Sequence, residues 1–390
     1  MKRVLFAFSF LAIAIAAAVT PAAEPAPAPR PVKDRDAFFR KPAVHNINIT
    51  VPKKELDKLN GDPRKYVKCT MKEGDTEYTD VGIHLKGAAG SWRGFDDKPG
   101  LTLNMDKFKD DQLYNGLDKW HLANSVQDPS YLSEYICGEL MRAVGVPAAR
   151  VSFATLTLNG RKRGLYYVKE GYDKQFLKAN FGNNTGNFYD GGFLREIDQD
   201  LQLISGEGDV KNRADLKALW AAVREPNEGK RFEKMEKLLD LDKFISYVIV
   251  EMITSDWDGY PSKCNNYRIY HDPKKNKLIF IPSGMDQMFA DTGWPIMPGW
   301  GGAVARELMN TKEGKKRYIA RLREIMDKVY LPERFIKILD ELEAVVQPTL
   351  TAVDAGAGRD YKNQVNRLRN AFKERAKNIN EQIKRLPVEK

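Results

Sequence analysis

Residues 255–289 read SDWDGYPSKCNNYRIYHDPKKNKLIFIPSGMDQMF. Asp256 and Asp258 stand just ahead of the amide pair Asn265 and Asn266. Two strand-like runs follow, Tyr267–His271 and Lys277–Pro282, and Asp286 closes the segment. Acid, amide, hairpin, acid is the order in which phosphoryl-transfer sites set out a base and metal-binding oxygens. Carboxylate and amide oxygens suit Mg²⁺ or Mn²⁺. Asp258 is the candidate catalytic carboxylate, and Asn266 and Asp286 are the candidate metal ligands. Local roles are open to each as well: acids beside Trp257 can cap a helix end, the Asn pair can form a turn, and Asp286 follows Gly284.

Upstream, Leu241–Thr254 carries an apolar face with Phe244, Val248 and Met252, and reads as a buried helix that presents Asp256 and Asp258 at its end. The segment 182–208 is polar and loop-rich, and is expected to shape a substrate entrance. Val151–Leu158, the Asn159-Gly160 turn and Gly164–Val168 form the clearest hairpin. It delivers Glu170-Gly171-Tyr172, the expected contact for a nucleotide base. Val44–Val51 alternates as a strand, and Tyr66–Met71 with Tyr78–Leu85 reads as a second hairpin. Between Leu85 and the strand-like Leu101–Met105 lies the loop Lys86–Gly94, KGAAGSWRG. Glycines let backbone N–H groups approach phosphates. Lys86 and Arg93 in this loop, and Lys98 ahead of the next strand, are the candidate phosphate contacts. A ligand-free Gly-rich hairpin loop is the plainer alternative. A helix is expected to start at Asp128-Pro129, with Leu132, Ile136, Leu140 and Ala143 on one face. Glu134 or Glu139 on it could orient the phosphate lysine, or simply be exposed helix carboxylates.

The amino terminus, MKRVLFAFSFLAIAIAAAVTPAA, has the charge and apolar pattern of a secretory signal over residues 1–23. A Pro/Ala-rich linker over 24–38 follows. The expected blocks are then a β-rich nucleotide-binding lobe at 39–175, a helical lobe with the catalytic and metal segment at 176–300, and a helical extension at 301–390. The net charge is +10, and loss of the leader's Lys2 and Arg3 leaves +8. That surplus favours anionic partners but is spread along the chain, so no nucleic-acid groove is indicated. Three cysteines are too few for a disulfide framework, and the four histidines lack metal-ligand spacing.

Many short signatures in a fixed order carry a resemblance. They include Val81–Gly87, Lys98-Pro99, Gly116-Leu117, Asp128-Pro129-Ser130, Gly145-Val146-Pro147 and the Gly164-Leu165-Tyr166 turn with Glu170. Leu241-Asp242, Asp258-Gly259-Tyr260, Asn266–Tyr270 and Ile281-Pro282 with Asp286 complete the set. In these the chain resembles the CotH kinases, the spore coat protein H group of secreted atypical kinases. The resemblance implies an α+β, protein-kinase-like two-lobed fold with a β-rich N-lobe and a mainly helical C-lobe. It implies ATP as donor with Mg²⁺ or Mn²⁺, and protein Ser/Thr hydroxyls as acceptors. The leader points to a secreted or periplasmic location, no later segment is apolar enough to span a membrane, and a monomer is expected. The sequence departs from the family where Asp-x-Asp is usual: here Ser283-Gly284-Met285-Asp286 puts a glycine in place of the first acid. Ala88-Ala89 likewise replaces Asn and Ser. A pseudokinase serving as a structural or binding protein of the envelope is therefore the second reading. A carbohydrate-active hydrolase using Asp256 and Asp286, with Trp294 and Trp300 for sugars, is a third.

Overall fold

The computed structural model describes residues 33–206 and 212–386. The expected signal segment and most of the linker lie outside the described residues. Strand-forming alternation dominates the first part of the chain. After α1 (Lys33–Arg40) come β1 (Val44–Thr50), α2 (Lys53–Gly61), β2 (Val67–Glu73), β3 (Thr76–Lys86), β4 (Gly100–Asn104) and β5 (Lys119–Ala123). Then follow α3 (Ser133–Ala143), β6 (Val151–Leu158) and β7 (Arg161–Glu170). The seven strands close into a barrel in the order β1-β2-β3-β4-β5-β7-β6. Closure comes from the parallel pairing of β1 with β6, Val44 opposite Phe153 through Ile49 opposite Leu158. The expected β-rich lobe is thus a barrel rather than an open sheet. Period-2 alternation explains its filling: Ile83, Leu85, Leu101, Leu103, Trp120 and Leu122 point inward and are buried. The alternate residues of the same strands point away from that core.

The second part contains α4 (Lys174–Phe181), β8 (Phe188–Asp190), β9 (Gln202–Ser205), α5 (Ala214–Val223), α6 (Glu228–Leu238) and α7 (Leu241–Ile253). It continues through α8 (Tyr260–Lys263), β10 (Tyr267–Asp272) and β11 (Lys277–Pro282) to the helices α9 (Ala303–Met309), α10 (Lys312–Lys328), α11 (Pro332–Val353) and α12 (Ala355–Lys384). Strands β11-β10-β8-β9 form a second sheet. Two short strands therefore stand inside the segment read as loop. α7 is apolar nearly all round and every one of its residues but Asp242 and Lys243 is buried, as a central helix requires. Among the described residues no helix is long and apolar enough to cross a membrane.

Two local expectations are corrected. α3 starts at Ser133 rather than at Asp128-Pro129, because Tyr131 takes a left-handed backbone at φ 61. Asp128 still serves the helix entrance: its carboxylate accepts from the Ser130 and Ser133 N–H groups, both at 2.9 Å. Glu134 is not an exposed helix carboxylate but 1% exposed.

Candidate active site

Register across β3, β4, β5 and β7 builds one wall of a cleft. His84 pairs with Thr102, Thr102 with His121, and His121 with Lys169, so a polar row crosses four neighbouring strands on the face turned from the barrel core. Lys86, one pleat along from His84, stands opposite Gly100, where an added Cβ would lie 3.0 Å from the lysine Cγ. The glycine makes room for the lysine stem. The second sheet supplies the facing wall through Arg268, Asp190, Gln202 and Ile204, with Tyr172 and Ser283 between. The cleft so enclosed is about 520 Å³.

Its floor holds the most consequential pair in the molecule. Lys169 Nζ lies 2.6 Å from Glu134 Oε1, with both side chains buried. Lys169 also donates to the Ser283 carbonyl at 2.9 Å, and Glu134 Oε2 accepts from the Met285 N–H at 3.0 Å. The pair therefore pins the strand β7, the helix α3 and the segment leading to Asp286 to one another. Burial opposes the charge on Lys169, but Glu134, with Tyr172 and Asp286, outweighs it and holds the ammonium above its usual range. Burial pushes the Asp286 carboxyl up, Glu134 adds to that, and Lys169 and Lys86 oppose it. Lys86 is pushed down to about 8 by burial and by the Lys169 charge.

α7 delivers the other acids. Asp256 is buried, and its Oδ1 accepts the Asp258 N–H at 3.0 Å. Burial raises the Asp256 carboxyl to about 8, with the charges of Asp258 and Asp286 adding to it. A carboxyl so enclosed cannot meet a sugar, which removes the hydrolase reading. Gly259 is required here, because a Cβ would strike the buried Glu251 carboxylate. Asp258 Oδ2 accepts from the side-chain amides of Asn265 at 2.9 Å and Asn266 at 3.0 Å. The Asn266 amide oxygen faces Gly284: a Cβ built there would lie 3.1 Å from it. The loop is fastened from below by Glu196, which accepts from the Tyr260 hydroxyl at 2.8 Å and the Ala303 N–H at 2.6 Å.

The structure thus joins Asp258 directly to Asn266, and sets Asp286 in the field of Lys169, Lys86 and Glu134. Tyr172 also lines the cleft; its hydroxyl donates to the Pro282 carbonyl, and its ring lies under Arg268 and Lys169. Three expected phosphate or base contacts stand elsewhere. Lys98 does not line the cleft: its ammonium donates to the Tyr131 hydroxyl at 2.7 Å and sits over the Tyr166 ring, whose parity is that of the barrel core. Arg93 folds back on the carbonyls of Gly90 and Trp92 and does not line the cleft either. Glu170 is buried between Arg150 at 2.9 Å and Arg35 at 3.4 Å, so its carboxylate is consumed by barrel ion pairs. Lys169, Arg268, Lys119 and His121 escaped the sequence reading. Strand parity is the signal that could have found them: β7 written as a strand through Glu170 puts Lys169 opposite Tyr166 and Val168.

Among the described residues no group of three or more His, Cys, Asp or Glu side chains could hold a metal ion. Mg²⁺ is commonly held by one or two protein oxygens and completed by substrate phosphates and water. The Asn266 amide oxygen and Asp286 carboxylate fit that limited role.

Invasin CotH3 of Rhizopus delemar is 25% identical over 186 residues, 43% of this chain and 31% of that protein. Inner spore coat protein H of Bacillus subtilis is 22% identical over 191 residues, 46% of this chain and 52% of that protein. The matches thus span between about a third and a half of these relatives' length. Among solved structures, the Helicobacter pylori proinflammatory kinase CtkA matches at a TM-score of 0.31 and 11% identity, over 70% of this chain and 91% of that one. The Shewanella oneidensis HipA, HipB and operator DNA complex matches at 0.35 and 12%, over 88% and 74%. The family model described as CotH kinase protein matches residues 83–379, and the chain belongs to that family.

Proposed function

We propose that this chain is a secreted or envelope-located protein kinase that transfers the γ-phosphate of ATP to Ser or Thr hydroxyls of a protein. The observation that carries the reading is the buried Glu134–Lys169 pair at the floor of a cationic cleft, beside Asp286. Phosphoryl transfer asks for positioning and charge neutralisation more than for covalent chemistry. Lys169, held by Glu134, and Lys86 would clamp the phosphates. Asp258, its Oδ2 fixed by two amides, would orient the acceptor hydroxyl and take its proton. A bound Mg²⁺ or Mn²⁺ would neutralise phosphate charge, held by Asn266 and Asp286. The names of the relatives, spore coat and invasin proteins, fit an envelope setting.

Lys86 makes the test clean, because its ammonium has no carboxylate within 4.0 Å among the described ion pairs. Lys86→Met should leave the fold intact, with Tm unchanged or raised as a repulsive charge is lost. It should weaken ATP binding with Mn²⁺ by about tenfold, a loss of about 1.4 kcal/mol. Thermal shift and calorimetry with ATP and Mn²⁺ read both effects. A wild-type protein with no response to ATP and Mn²⁺ would overturn the proposal.

Gly284 favours a second reading, a scaffold that binds nucleotide without efficient transfer. The Asn266 amide oxygen faces the place where an acid would otherwise stand. Gly284→Asp is therefore expected to lower the Mn²⁺ concentration needed for half-maximal ATP binding by about tenfold, since cation affinity follows ligand charge. An unchanged Mn²⁺ requirement would show that position 284 lies outside the metal's reach.

A further inference from the structure

Among the described residues, the cleft's lining carries five Lys or Arg side chains, Arg64, Lys86, Lys119, Lys169 and Arg268, against the one carboxylate of Asp190. A nucleotide needs something else as well: an open aromatic or aliphatic face on which a base can lie. Among the described residues lining the cleft, the Tyr172, Tyr66 and His84 rings already meet other groups. Tyr172 lies beneath Arg268 at 5.0 Å and Lys169 at 5.6 Å, and meets Phe176 edge-on. Tyr66 meets His84 edge-on at 4.5 Å and lies under Lys107 at 5.5 Å. The His121 ring is held by Thr102 at 3.0 Å. Among the described lining residues only Ile204 is aliphatic. Three of the cations, Arg64, Lys86 and Lys119, make no ion pair within 4.0 Å among the described residues, so their charge is available to a ligand.

We infer that the cleft recognises its phosphate donor by the phosphate chain alone, and therefore accepts inorganic polyphosphate as it accepts a nucleoside triphosphate. The inference rests on the phosphotransferase reading above and narrows it to a donor class. With tripolyphosphate the acceptor oxygen bonds to the terminal phosphorus and the bond from that phosphorus to its bridging oxygen breaks. Pyrophosphate leaves, and the hydroxyl proton passes to Asp258. No further reactant is needed. Closely spaced cations suit such a ligand because each phosphate they neutralise adds attraction that salt weakens.

Calorimetry on the full chain with Mn²⁺, using tripolyphosphate, ATP, GTP and adenosine, separates the outcomes. Expected are affinities for tripolyphosphate, ATP and GTP within about threefold of one another, a difference of about 0.65 kcal/mol, and no binding of adenosine. Lys119→Ala should weaken all three anions to the same degree. ATP binding at least about a hundredfold tighter than tripolyphosphate would overturn this inference while leaving the kinase reading in place. Failure of ATP and tripolyphosphate alike would overturn both.

Discussion

Glu134→Ala is expected to cost about 3–5 kcal/mol of folding stability, because it strands the Lys169 ammonium in a buried site. Both partners are almost without solvent contact, and Lys169 would keep only the Ser283 carbonyl. The Met285 N–H would also lose its acceptor, freeing the segment that carries Asp286. Urea denaturation should show a lower midpoint at an unchanged slope. The double substitution Glu134→Leu with Lys169→Met should recover much of that loss, since replacing a whole buried pair is far cheaper than halving it. Recovered stability without recovered ATP binding would separate the pair's chemical role from its structural one. A single-variant loss under about 1 kcal/mol would mean that Lys169 finds another partner, and that the cleft floor is not fixed as described.

The second large effect is expected at Arg375 of α12. This side chain is fully buried, feels the charge of Asp291, and makes no ion pair within 4.0 Å among the described residues. It donates to the carbonyls of Ile253 at 3.0 Å and Met252 at 2.6 Å, at the end of α7, and to Thr292 at 3.0 Å and Trp294 at 2.6 Å. Helix ends leave carbonyls without partners and concentrate negative potential there, so a buried cation is well matched to the spot. Burial nonetheless brings the guanidinium down to about 10. Arg375→Ala strips the Ile253 carbonyl of its donor and leaves those of Met252, Thr292 and Trp294 to the Ser255 N–H, Asn378 and Gln382, and should cost about 3 kcal/mol. Arg375→Lys should recover only part, because an ammonium cannot reproduce the planar fork. A loss within about 0.5 kcal/mol, the range of an ordinary surface change, would show that other donors take over. Because α7 leads directly into Asp256 and Asp258, Arg375→Ala should also depress transfer more than a variant of equal instability elsewhere.

How much of this was legible follows from distance along the chain. α7 and the β10–β11 hairpin are local, and the pattern of residues 241–282 reveals them. β6 and β7 with the Asn159-Gly160 turn are equally local. The cleft is not, because it depends on register between strands far apart in sequence. β5 went unread, since Lys119–Ala123 is short and mixes charged and apolar residues. Without it the row from His84 to Lys169 has a missing member and Lys169 has no visible companion. Lys98 looked equivalent because it too precedes a strand, yet Tyr131 and Tyr166 draw it away from the cleft. Glu134 is a helix residue like Glu139 in sequence, and only the packing of α3 against α7 buries one and leaves the other partly exposed.

Incorporation of label from γ-labelled ATP, in the presence of Mn²⁺ and a protein acceptor, compares the wild type with Asp258→Ala most directly. The account requires that the wild type transfers phosphate to Ser or Thr. It also requires that the variant binds ATP within about threefold of wild type but transfers at least about a hundredfold more slowly, in keeping with the loss of a positioned general base. Equal incorporation by the two proteins, or none by the wild type while ATP is bound, would contradict it.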